Sequence, residues 1–141
     1  MHWTRSFTLD DLERIGEGTA AQHCGIRFVA MGEDWLEATM PLDSHTRGQD
    51  GALHPGALAI LAETIGSVAA ALCIDTSRRF GVGQVLHINH PAPVTSGPIR
   101  AKASPVAVLQ DSQIWNIEIK DPTASIVCAA TLTMAILDRD T

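Results

Sequence analysis

Residues 53–70, LHPGALAILAETIGSVAA, contain one carboxylate, Glu63, among aliphatic, small and neutral polar side chains. Taking a lone ionised carboxylate out of water is expensive, so a chain that keeps one gives it a partner or a use. A catalytic use is chemically sound: desolvation raises the proton affinity of a carboxylate toward that of a working base and leaves it poorly hydrated, hence more nucleophilic. The other reading is a structural ion pair with Arg27, Arg79 or Arg100. Ser67 follows Glu63 by four residues, so the two share a helix face with Ala59, Gly66 and Ala70 beside them. His54 and Pro55 stand at the start of that helix, followed by Gly56. Backbone N–H groups and the helix dipole at such a start hold anions, including the oxyanion of an attacked carbonyl. At about 1.5 Å of rise per residue, Gly56 and Glu63 lie roughly 10 Å apart along the axis, too far to act on one carbonyl carbon. Two chains must therefore share the work. A homodimer with antiparallel helices would set Glu63 of one protomer against the helix start of the other, giving paired sites.

The elements that position these residues follow from pattern. TLDDLERIGEG reads as a short helix capped by Thr8, with acids in its first turn. GIRFVAMGEDWLEATMPL holds two β-rich segments, 26–31 and 35–42, joined by a Gly-Glu-Asp turn. After the loop DSHTRGQDGALH, Pro55 suits a first helical position and the apolar run continues for about five turns. GQVLHINHPAPV, IRAKASPVAVLQ, SQIWNIEIKD and SIVCAATLTMAIL then read as four strands. A helix apolar nearly all round must be enclosed, and antiparallel strands enclose it by wrapping around it. The expectation is one α+β domain over residues 1–141, an antiparallel sheet wrapped around one long central helix. Ala57, Ala59, Ala62, Gly66 and Ala69 to Ala71 are small enough to admit the sheet on one side and another chain on the other.

Composition narrows the partners. The 141 residues are 45% hydrophobic, enough for one core, and carry a net charge of -6. That balance disfavours nucleic acid and anionic membrane surfaces, both of which attract a basic face. The apolar helix carries Glu63 and is rich in Ala and Gly, so it reads as a core helix rather than a membrane span. Cys24, Cys73 and Cys128 are odd in number and widely spaced, which fits reduced, buried thiols in a cytoplasmic protein. No secretory signal is read at the N-terminus. His87 and His90 are three apart, on opposite faces of a strand, and so are not a shared metal site. GVGQVL lacks the third glycine of a dinucleotide loop, and Trp115 reads as core.

The segments TLDDLERIGEG, GIRF, LEATMPLDSHT, LAETIGSVAA, INH and IWNIEI together resemble the hot-dog-fold acyl-CoA thioesterases of the PaaI-like group, in particular its 1,4-dihydroxy-2-naphthoyl-CoA and enterobactin-proofreading branches. The resemblance covers nearly the whole chain. It implies hydrolysis of an aryl- or acyl-CoA to free acid and CoA, without metal or redox cofactor. By the same resemblance Glu63 attacks the thioester or activates water against it. His54 helps bind and orient the thioester, while Ser67 and His90 lie near the substrate. It also implies a homotetramer of two dimers. Two positions depart from the family pattern. Pro55 replaces the first Gly of a His-Gly-Gly sequence and has no N–H, so the Gly56 N–H or the His54 side chain must stand in as oxyanion donor. The family glutamine would fall on Gly48, whereas this chain carries Gln49. Two other readings remain. A hydratase of the same fold would want an Asp/His pair that the helix start lacks, and a non-catalytic acyl-CoA-binding or regulatory hot-dog is made less remote by the loss of the amide at Pro55. Arg78, Arg79, Arg100 and Lys102 are the candidate contacts for the phosphates of CoA.

Overall fold

Thr8 starts the first helix as its sequence implies. In the computed structural model, which describes residues 2–140, the Thr8 hydroxyl accepts from the Asp11 N–H while the Asp11 carboxylate accepts from the Thr8 N–H. This reciprocal cap opens α1 (Leu9–Ile15). A one-turn helix α2 (Ala20–His23), which the sequence pattern does not announce, follows. The hairpin forms from β1 (Arg27–Met31) and β2 (Leu36–Met40), each shorter than the apolar run that encodes it. The long helix α3 (Pro55–Leu72) begins at the expected proline. Four strands complete the chain: β3 (Arg79–Asn89), β4 (Ile99–Val108), β5 (Ser112–Lys120) and β6 (Ile126–Asp138).

All six strands form one antiparallel sheet in the order β1-β2-β4-β5-β6-β3, and α3 packs against five of them. β3 differs from expectation at both ends. It starts earlier because Arg79 pairs with Asp138 along β6, and it stops at Asn89, just before His90-Pro91, where a proline could not donate to a ladder. A register shift between Gly83 and Val85 marks a bulge in this strand.

The sheet buries one side of α3, including Leu58, Leu61, Ala62, Ile65, Ala69 and Leu72. Gly66 lets the sheet approach on that side: a Cβ there would lie 2.6 Å from Leu132 Cδ2, which would have to shift to admit it. The opposite side carries Ala59, Ile60, Glu63, Thr64, Ser67 and Ala71 at spacings of three and four, all only half-buried. The helix is thus cradled rather than fully enclosed, and the carboxylate lies on the open stripe. Trp115 is core, as expected: it stacks on Trp3 with ring centroids 6.1 Å apart. Its indole N–H donates to Gln113 Oε1 at 2.9 Å, and Gln113 in turn donates to the Ala70 carbonyl at 3.4 Å. That relay satisfies the polar groups of a buried residue and ties β5 to the second half of α3.

Candidate active site

Glu63 is placed by helix geometry and by an absence. One turn on, the Ser67 hydroxyl donates to Glu63 Oε1 at 2.9 Å. Across from it, β3 presents Gly83, where a Cβ would stand 2.5 Å from the same oxygen. Gly83 therefore lets the carboxylate rest against the strand. The sequence reading passed over this residue, although a glycine inside a strand is a recognised sign of close approach.

Among the described residues, Glu63 has no ion-pair partner, and two of the three candidate arginines, Arg79 and Arg100, are engaged elsewhere. Arg79 binds Asp111 and Asp138 at 2.7 and 2.8 Å and also donates to the Gln110 and Ile136 carbonyls. These contacts raise the affinity of its guanidinium for its proton, the hydrogen bond to Asp111 foremost. Arg100 is paired with Glu37 across β2 and β4, and Arg27 is exposed on β1. Within one protomer, the described residues thus form no structural ion pair with Glu63.

The second cluster lies at the start of α3. Gln49, His54, Pro55 and His90 line one surface cleft of about 540 Å³. The loop before the helix is held by the Arg47–Leu53 bridge and by the His54 N–H, which donates to the Thr46 carbonyl at 2.8 Å. Gln49 and His54 are exposed, whereas His90 is half-buried and its Nε2 atom is inaccessible without a hydrogen-bond partner. His87 faces solvent on β3, apart from His90, as their spacing implies.

The Gly56 amide corrects one expectation. It is not free for an oxyanion, because it donates to His54 Nδ1 at 2.8 Å. His54 is the N-cap of α3 and completes its first turn with its own ring.

The seven candidate residues thus fall into two groups within one protomer. Glu63 and Ser67 sit mid-helix against Gly83, while Gln49, His54, Pro55 and His90 gather at the helix mouth with Gly56 behind them. Three of the four candidate phosphate contacts are occupied: Arg79 and Arg100 are paired as described, and Lys102 lies 4.4 Å over the Trp35 ring and near Glu37. Arg78 is exposed and has no ion-pair partner among the described residues.

Comparison with known proteins adds an independent line. Residues 50–128 match the profile of the Thioesterase superfamily. The 1,4-dihydroxy-2-naphthoyl-CoA hydrolase of Escherichia coli is 42% identical over 137 residues, covering 97% of this chain and 100% of that protein. The proofreading thioesterase EntH of Cronobacter sakazakii is 39% identical, covering 97% of this chain and 99% of its own length. A crystal structure of a Haemophilus influenzae thioesterase superposes with a TM-score of 0.93 at 39% identity, covering 98% of this chain and 96% of that one.

Proposed function

Because the chain belongs to the Thioesterase superfamily and has its hot-dog fold, we propose that it is an acyl-CoA thioesterase whose acid is Glu63 and whose sites are completed across a homodimer. The observation that carries the reading is an unneutralised carboxylate on the open stripe of α3, held by Ser67 and accommodated by Gly83. A carboxylate so held is directed at something outside its own fold.

In the proposed reaction, Glu63 either takes a proton from water as the water adds to the thioester carbon, or adds to that carbon itself before water releases the acid. In both routes the carbonyl π pair moves to oxygen and returns as the C–S bond breaks. The CoA thiolate leaves with a proton, so one water is consumed for each acid and thiol released. The carbonyl is received at the partner protomer's helix mouth, where Gln49, His54, Pro55 and His90 meet.

The dimer is supported by the edge of the sheet. β3 pairs only with β6, leaving its other edge open beside the open stripe of α3. It exposes Val82 and Val85 there, at 42% and 57%. An apolar, unpaired edge strand is a template for a second chain, and pairing at this edge would bring the two helices side by side. The likeness to the 1,4-dihydroxy-2-naphthoyl-CoA hydrolase favours an aromatic acyl group. A cytoplasmic setting belongs to the same proposal, with three free thiols consistent with it.

Release of free thiol from benzoyl-, naphthoyl-, phenylacetyl- and short aliphatic-CoA tests the reading. We expect turnover by the wild type and a loss of at least about 100-fold in kcat for Glu63→Gln, the scale of losing a positioned acid-base group. Tight acyl-CoA binding without turnover in either protein would instead identify a binding module.

A further inference from the structure

Three facts about the mouth of α3 combine. Position 55 is proline and has no N–H. The Gly56 N–H donates to His54 Nδ1 at 2.8 Å, and the Ala57 N–H donates to the His54 carbonyl at 2.9 Å. The amides that follow are within the helix ladder. The mouth of this helix therefore offers no uncommitted backbone donor.

A backbone N–H can only donate, so the ring nitrogen that accepts from it carries no proton. Accepting at Nδ1 assigns the proton of the neutral His54 ring to Nε2. His54 is exposed and lines the cleft with Gln49, Pro55 and His90. In the same cleft His90 is half-buried, and its Nε2 has no hydrogen-bond partner.

We propose that the His54 Nε2–H, rather than a backbone amide, is the donor that holds the thioester carbonyl and stabilises its oxyanion in this chain. The Gly56 amide serves as the latch that selects the tautomer. This assignment rests on the thioesterase reading and deepens it. The ring replaces the amide lost at Pro55, and the cost of that replacement is small because the cap that orients the ring is also the cap the helix requires.

The test uses His54→Ser, because serine is itself a good N-cap and keeps the first turn closed while removing the ring. We expect kcat to fall about 10²- to 10³-fold, as for loss of one oxyanion donor, with KM changing only a few-fold and thermal stability retained. His54→Ser/Pro55→Gly restores an amide at position 55 and is expected to recover at least about tenfold of that loss. Independently of turnover, ¹⁵N NMR of the six histidines, with His54 assigned by its disappearance in His54→Ser, is expected to show an Nε2–H ring. An Nδ1–H ring, an unchanged kcat in His54→Ser or a loss confined to KM overturns this assignment while leaving the thioesterase reading intact. A wild type that hydrolyses no thioester removes both.

Discussion

Glu63 depends on a side chain that is missing. A methyl at position 83 would occupy the space of its carboxylate, so Gly83→Ala is expected to push the acid aside and lower kcat at least about tenfold, with the fold unchanged by circular dichroism. Turnover equal to wild type would show that Gly83 has no part in placing it. The thiols act at the same scale in the opposite sense. Burial, reinforced by the negative charge of Asp34, pushes the Cys73 thiol up to about 12, and burial also raises Cys24 and Cys128. The folded chain thus keeps the Cys73 proton where an unfolded chain would release it. The associated stabilisation is complete below pH 9 and is lost as pH rises from there toward 12. At pH 8 the native protein is expected to resist iodoacetamide at the half-buried Cys73 and to react at all three cysteines once denatured, as read by mass spectrometry; rapid native labelling of Cys73 would contradict its raised proton affinity.

The central helix is specified by opposing demands on its two sides. Facing the sheet, Gly66 sacrifices helix propensity for contact: alanine would gain about 1 kcal/mol in propensity. Its methyl, however, would lie 2.6 Å from the buried Leu132, and overpacking of that kind costs about 1–3 kcal/mol. Leu132 is fully enclosed, so the packing effect is expected to dominate. Gly66→Ala is expected to lower the thermal midpoint, and a midpoint above wild type would mean that the core can relax there. On the open side, Ser67→Ala removes the single hydrogen bond that Glu63 receives within its helix. The expected result is a modest loss of kcat with an unaltered midpoint.

At the scale of the molecule, Glu63 lies outside the His54 cleft, so under the proposed function catalysis is expected to be a property of the assembly. Val85 lies on the unpaired edge of β3, and a lysine there opposes strand-to-strand pairing. Val85→Lys is expected to sediment as a monomer and to lose turnover although every candidate site residue is intact. A fully active monomer would refute the shared site. The tetramer implied by the family resemblance belongs to the same measurement: the wild type is expected at four chains by sedimentation equilibrium.

The sequence by itself determined α1, the hairpin, the long helix and the four strands that follow it, and the residue types available for chemistry. Local signals, from the Thr8 cap and the Pro55 start to strand alternation and a lone acid in an apolar helix, act over a few residues and can be read from a single chain. Glu63, Ser67 and His54 were legible from spacing alone; family likeness gave them roles and added His90 and Gln49, which lie with His54 at the helix mouth. Only the tertiary structure decided what depends on neighbours distant in sequence. Among the described residues it left Glu63 without an arginine, set Gly83 beneath it, tied Arg79 and Arg100 to other acids and closed the Gly56 amide with the ring of His54. The physical reason is that charge pairing and close approach are set by strand register and helix placement, and these bring together side chains that the chain holds tens of residues apart.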